Sequence, residues 1–480
     1  MHRRAIKLAA GPLVAWTGAV VLLWLLGLGL PAHAGPAPSS LGVTADELRV
    51  CPSGCDYSSI QDAVDEAEPG DVIKVAQGTF TDLHTIPSLH RYEFTATQVV
   101  AITKSITIRG GYTSDDWNDR DTRAHPTILD AQGRGRVMVI IGSGISPLIE
   151  GLHLTGGDAT GLGGSVYDYD AGGGCYVLGS TAVISDNVIE GNTAYRGAGV
   201  WLQDSTVTFQ ANEVRNNTAG WAAAGMALYQ SPATLRGNQV VYNSAIFAAG
   251  IVLHLSDASL RGNAILSNTA DLSEGGGVTV LSSKATLDGN LILGNKVDEA
   301  GGGVYLQASD ATLTNNVIGR NFADRLGSGL YVDGGSPHLT HNTIAGNSGL
   351  GGGLYAATTD WGLASDVVMT NTIVYGHTEG IIAADGSTVT LCATLWHANA
   401  TNWIGPGTIN RINDHTGDPA FAADGYHLTP GSAAIDKGVP SDVTTDIDGD
   451  SRPACDGPDL GADELPIWRV YLPLVMRNSR

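Results

Sequence analysis

The sequence predicts an all-β chain wound as a parallel β-helix, and three observations carry that prediction. Glycine is 64 of 480 residues, nearly twice its usual share of about 7 %. Charged residues are only 15 %, where globular chains average about 25 %. A repeat of 25 to 27 residues runs through the body of the chain. Helical arrays favour Glu, Lys and Ala and avoid Gly, so they are excluded. At 43 % hydrophobic residues the chain can fill a large core, which excludes wholesale disorder.

The segments DNVIEGN, ANEVRNN, GNQVVYN, GNAILSN, GNLILGN, NNVIGRN and HNTIAGN align on Asn187, Asn212, Asn238, Asn263, Asn290, Asn316 and Asn342. A degenerate further copy carries Asn371. A second Asn follows five residues later in each of the seven, from Asn192 to Asn347, and glycines 174, 199, 225, 250, 277, 303, 329 and 353 keep the same period. Self-similarity at this period marks a solenoid. One and three residues after each glycine stand apolar pairs such as Cys175/Val177, Val200/Leu202 and Val304/Leu306. Two residues past each first Asn comes Ile189, Val214, Val240, Ile265, Ile292, Ile318 or Ile344, with Ile373 in the degenerate copy. Three residues before it comes Ile184, Phe209 or a leucine. Each coil therefore holds three short strands with period-2 burial, and no helix of ten residues fits. The Asn columns read as structural ladders: an amide repeated every ~4.8 Å bonds its copies above and below, and Asn tolerates a bend at φ > 0.

The ends are read differently. Arg3, Arg4 and Lys7 precede a long apolar run, and Ala32-His33-Ala34 follows, the parts of a signal peptide cleaved after Ala34. An uncleaved anchor is the alternative; both export the rest, which holds no further membrane span. The expected divisions are 1–34 signal peptide, 35–48 linker, 49–400 β-helix, 401–464 closing module and 465–480 tail. Export permits disulfides, and Cys51 and Cys55 (CPSGC) are close enough to staple a turn; Cys392 with Cys455 is a weaker second pair. Cys175 reads as a buried small hydrophobe. Ser58 to Val64 reads as a capped amphipathic helix over the first coil, hiding a sheet edge.

The stretch CDYSSIQDAVDEAEPGDVIKVAQGTF resembles the opening of right-handed parallel β-helix proteins of the pectate-lyase-like superfamily. GDPAFAADGYHLTPGSAAIDKG and TDIDGDSRPACDGPDLGADE are similar to the C-terminal module that follows such helices in secreted bacterial proteins. The resemblance covers about residues 49–464 and is specific for a right-handed parallel β-helix. It implies no single activity, because that superfamily holds lyases, hydrolases, epimerases and non-enzymatic adhesins.

Outward positions offer candidate chemistry. Tyr176, Trp201, Tyr229, Tyr305, Gln307, Tyr331, Asp333 and Tyr355 form an aromatic and amide stripe suited to the C–H faces and hydroxyls of sugars. Stacking for stability alone is the competing reading. Acids gather in the turns before that strand: Asp168 and Asp170, Asp271 and Glu274, Asp298 and Glu299, and Asp324 beside Arg325. Glu274, Asp298, Asp324 and Arg325 are the catalytic candidates, for hydrolysis by paired carboxylates or for a Ca²⁺-assisted lyase. The polygalacturonase motifs are absent and no lyase set is found. Asp446, Asp448 and Asp450 (DIDGD) are candidate ligands for Ca²⁺, although the spacing fails as a full EF-hand. Arg236 and Arg261 followed by Asp288 read as a surface ion-pair ladder.

With 26 Lys+Arg against 48 Asp+Glu, the formal charge of −22 repels phosphate backbones and excludes nucleic acid as a partner. A secreted or cell-surface monomer that interacts with extracellular polysaccharide is the expected function, as a binder or as a lyase or glycosidase. A non-catalytic adhesin or structural rod is the alternative.

Overall fold

A computed structural model of the chain describes residues 45–86, 96–165, 169–272 and 274–465. The expected signal peptide, most of the linker, the tail from 466 onward and Asp168 lie outside the described residues.

From Glu47 the chain winds as a right-handed parallel β-helix, the hand that parallel crossovers take. One coil runs through Cys175–Leu178, Val183–Ser185, Val188–Glu190 and Thr193–Arg196. The first strand joins a sheet of 13 strands, the next two a sheet of 25, and the last a sheet of 7. Register holds from coil to coil: Cys175 pairs with Val200 and Val200 with Met226. The first three strands are those the alternation predicts. The fourth lacks a readable alternation, because each copy offers one small inward residue, such as Ala194, Ala219, Ala245 or Ala323. Cys175 is fully buried, and burial pushes its thiol up to about 12, which leaves it an inert core group.

The Asn ladders form as expected. Asn238 Nδ2 donates to Asn263 Oδ1 (2.9 Å), and Asn263 Nδ2 donates to Asn290 Oδ1 (2.9 Å) and to the Leu235 carbonyl (2.9 Å). Each ladder Asn also accepts from the backbone N–H of the one before it, as Asn263 does from Asn238 (2.9 Å). The second ladder runs from Asn192 to Asn347 with the same bonds. It ends on His377, whose Nε2 lies 3.2 Å from Asn347 Nδ2 while its Nδ1 meets Asn399 Oδ1. Burial depresses His377 to about 4, so a neutral imidazole continues the ladder.

One expectation is corrected. The bend at positive φ falls on the residue before each ladder Asn: Asp186, Ala211, Gly237, Gly262, Gly289, Asn315 and His341. The Asn itself keeps ordinary backbone geometry and bonds across the bend. The glycine column has its own cause. A Cβ on Gly277 would stand 2.5 Å from the Gly303 carbonyl and 2.9 Å from Asn295 Nδ2, so the second ladder packs on a wall with no side chains. A third column also appears, in which the N–H groups of Ser180, Ser205, Ser231, Ser256 and Ser283 each donate to the next serine's Oγ at 2.9–3.3 Å.

The degenerate copy leaves the register. His341 aligns with Asn371 and Asn342 with Thr372, because Thr340 pairs with Thr370 and Thr343 with Ile373. Val374 therefore fills the core, and Ile373, expected inside, points the other way. Ile373 joins Leu395, Leu428, Ala434 and Leu460 in a separate core beneath the C-terminal module. Asn371 ties that module on, donating to the Val439 carbonyl and accepting its N–H. The module lies on the flank of the last coils, while the helical ladder runs past 400 through Thr401–Ile404, Thr408–Ile412 and His415–Thr416.

At the other end, helix Ile60–Glu66 starts at Ser59, whose Oγ accepts from the Asp62 N–H. Gln61 takes up both backbone groups of Ala101, hiding that strand's edge. The Cys51–Cys55 disulfide is formed, whereas Cys392 and Cys455 are free thiols and the second expected pair is absent.

Asn263→Ala is expected to lower unfolding free energy by several kcal/mol, since it strands the buried Leu235 carbonyl and the two Asn238 donors at about 1–3 kcal/mol each. Urea unfolding checks this; a loss below 1 kcal/mol would contradict the ladder's role.

Candidate functional site

The outward column two residues past each glycine reads Tyr176, Trp201, Ala227, Val252, Thr279, Tyr305, Tyr331 and Tyr355 from coil to coil. The aromatic stripe is thus broken by three small residues. Trp201 and Tyr305 stand four ladder steps apart, about 19 Å at the usual strand spacing. The break is a cavity of about 430 Å³, with Ala227, Val252 and Thr279 as its floor and Trp201 and Tyr305 at its ends. Tyr229, His254 and Gln307 line it from the same strands, and Trp221 and Phe247 from the coil's fourth strand.

These last two belong to a second aromatic column that sequence reasoning missed. Tyr169, Tyr195, Trp221 and Phe247 succeed one another at 5.1, 6.0 and 4.1 Å between ring centroids. For Tyr195, Trp221 and Phe247 the signal is an aromatic residue three or four positions past the second Asn of consecutive coils, readable once a fourth strand is known to start there.

Beyond the cavity, Tyr305, Tyr331 and Tyr355 stack at 5.4 and 5.5 Å, so these rings cover one another's faces. Gln307 Nε2 donates to Tyr305 Oη (3.1 Å) and to Asp333 Oδ2 (3.0 Å). Burial first, then Glu274 and Asp333, raises Tyr305 far above the usual phenol range; burial and Asp333 do the same for Tyr331. Both hydroxyls stay protonated. His254 sits edge-on to Tyr229 at 5.2 Å, and burial with nearby Arg196 lowers its pKa, favouring the neutral ring. Thr279 is 4 % exposed and lines the cavity, and its Oγ1 has no hydrogen-bond partner among the described residues.

The other candidates are dispersed. Tyr176 is 1 % exposed beneath the preceding turn: its hydroxyl donates to the Gly164 carbonyl and the buried Arg136 guanidinium lies 5.1 Å from its ring centre. It offers a ligand no surface. Of the four catalytic candidates Glu274 alone lines the cavity. Arg325 pairs with Glu299 at 3.3 Å on the exposed surface, a contact worth little in water, and Asp324 is exposed beside it. Asp298 is half-buried and outside the cavity lining. Arg261 and Asp288 form an ion pair at 3.4 Å.

In the C-terminal module the three Asp candidates do not converge. Asp446 spends its carboxylate on the backbone N–H groups of Asp448, Asp450 and Glu464, which closes the DIDGD turn. Asp450 is exposed. Asp448 instead bonds His427 Nε2 at 2.7 Å, and Asp424 bonds His427 Nδ1 at 2.6 Å. His427, Asp448 and Asp463 bring ligand atoms within 4.8 Å of one another. Burial alone would lower His427, but its bonds to Asp424 and Asp448 prevail and raise it to about 9. Burial raises Asp463 to about 6 despite its bond from the Leu428 N–H.

A parallel β-helix with an aromatic-walled cavity where two of its sheets meet is the class of protein these features define. The chain belongs to the NosD family, described as periplasmic copper-binding protein, whose model matches residues 138–273 and 185–392, together over half of the chain. Among solved structures it is similar to pectate lyase Pel9A (13 % identity, 88 % of this chain and 97 % of that one, TM-score 0.41). It is also similar to XylC in complex with xylose (10 %, 87 % and 99 %, 0.44) and to the A-module of the Azotobacter vinelandii mannuronan C-5 epimerase AlgE6 (12 %, 78 % and 84 %, 0.30). No curated protein matches the sequence.

The family description raises copper, and the cluster at His427 does not fit it. The set at His427 supplies one imidazole and two carboxylates, with neither the thiolate and thioether donors of Cu(I) nor the several imidazoles of Cu(II). Both ring nitrogens of His427 are already committed to acids. Among the described residues no helix is long and apolar enough to cross a membrane.

His427 acts as a clamp between two acids, and its raised pKa sets a pH window. Its stabilisation is complete below the unfolded value of about 6.5 and is lost as pH rises through about 9. The difference in melting temperature between the protein and His427→Gln is expected to shrink across that window. A constant difference on both sides would contradict the clamp.

Proposed function

We propose that this is an exported protein, secreted or periplasmic, that binds extracellular polysaccharide in the cavity between Trp201 and Tyr305. The single observation that carries the reading is the break in the aromatic column. It opens a cavity of about 430 Å³ lined by Trp201, Trp221, Tyr229, Phe247 and Tyr305, the scale of a small-ligand site. Aromatic walls pack against sugar C–H faces, and Glu274, His254 and Gln307 supply hydrogen-bonding groups at fixed places. The stacked tyrosines beyond it serve the solenoid's cohesion. The exported location rests on the leader at 1–34 and on the family's periplasmic description.

Retention on insoluble glycans tests this. Trp221→Ala and Tyr229→Ala are expected to weaken binding by roughly tenfold each, from lost ring contacts of about 1 kcal/mol or more. Val252→Tyr continues the aromatic column into the cavity and is expected to abolish binding while leaving thermal stability intact. Tyr331→Ala lies outside the cavity and should leave affinity unchanged. Binding that survives Val252→Tyr would sink the cavity assignment and leave the adhesin or structural rod as the reading.

A further inference from the structure

We propose, on the glycan reading of this cavity, that it is a blind pocket for the end of a polysaccharide chain and not a groove for a stretch of its middle.

The floor is Ala227, Val252 and Thr279, one residue from each of three successive coils, about 10 Å from first to last at the usual strand spacing. Along the solenoid axis a large ring stands at each end of that floor. Trp201 and Tyr305 are both buried although they line a cavity, because each is backed on its far side. Behind Trp201 stands Tyr176, roofed by the turn whose Gly164 carbonyl accepts its hydroxyl and whose Gly163 carbonyl accepts from Arg136 at 2.6 Å. Behind Tyr305 the stack continues through Tyr331 and Tyr355, so the column stays at ring height for three coils. A polymer lying along the axis meets a step at both ends.

The flanks are walled as well. Trp221 and Phe247 rise from the fourth strand with ring centroids 4.1 Å apart, too close to admit a sugar ring between them. On the opposite flank Tyr229 and His254 meet edge to face at 5.2 Å.

A unit from the middle of a polymer carries a glycosidic bond on each side, and both continuations need a way out between these walls. A terminal unit carries one continuation, which leaves through the mouth. The volume of about 430 Å³ is near the lower end of the roughly 300–1,000 Å³ of small-ligand pockets, which bury most of their ligand's surface. A seated chain end obtains that burial, whereas a polymer resting across the rims leaves the aromatic walls uncovered.

The experiment titrates the protein calorimetrically with size-fractionated debranched xylan, linear glucomannan and polygalacturonate, comparing short fractions with fractions roughly tenfold longer. Where a glycan binds, one protein per chain is expected at both lengths, with dissociation constants per mole of chain that agree within about threefold. Val252→Tyr, which fills the cavity, is expected to remove that binding. Protein loading that rises with chain length would overturn the inference while leaving the cavity a glycan site. Binding of one protein per chain that survives Val252→Tyr would place end recognition elsewhere and overturn it too. Failure of all three glycans to bind at either length would overturn the glycan reading itself, and the inference with it.

Discussion

The amide ladders are the constraint on which the rest of this molecule depends. A parallel β-helix must turn sharply several times per coil, and every turn places backbone N–H and C=O groups next to a dry core. In this chain the buried side-chain amide of each coil satisfies the turn of its neighbours: Asn263 accepts from Asn238 and gives to Leu235 and Asn290. A buried polar group is favourable only when fully bonded, so the ladder locks the register of successive coils. The register in turn keeps each outward column in line, which is what allows a break in one column to become a cavity.

The same logic explains how the solenoid stops and what is attached to it. Where the first ladder reaches Thr372 the amide is missing from the register, and the outward faces of the following strands turn apolar at Ile373 and Leu395. The C-terminal module seats on that apolar flank and is held by Asn371, the residue displaced from the ladder, and by His341. His341 sits 3.0 Å from Ser441 and is kept neutral by burial beside Arg452, its pKa lowered to about 3. On the second ladder a neutral His377 substitutes for the amide. A break in the repeat is thus a docking point as well as a loss of regularity.

Chemistry on this scaffold is a matter of which outward positions are empty. Uninterrupted stacks such as Tyr305, Tyr331 and Tyr355 turn their faces toward each other and contribute to cohesion. Three consecutive small residues leave the rings at either end without that neighbour and expose a concave apolar surface. Tyr176 belongs to the same column and is lost to solvent for a different reason, since Arg136 and the preceding turn cover it. Position in a column does not decide access.

The sequence alone determined the period, the three alternating strands, the Asn columns, the N-terminal cap and the short disulfide, because each rests on contacts between residues at a constant spacing. The residues of the cavity floor, Ala227, Val252 and Thr279, stood in the repeat as well, and reading the column as a continuous stripe obscured them. Tertiary structure decided the remainder. The fourth strand has a single small inward residue and no alternation to betray it. The bend before each Asn, the slip that turns Ile373 outward and the burial of Tyr176 all depend on what a neighbouring coil or turn places beside them. The meeting of His427 with Asp424, Asp448 and Asp463 joins residues up to 39 positions apart in a region without a repeat. Local spacing encodes a ladder; it does not encode which turn folds over which face.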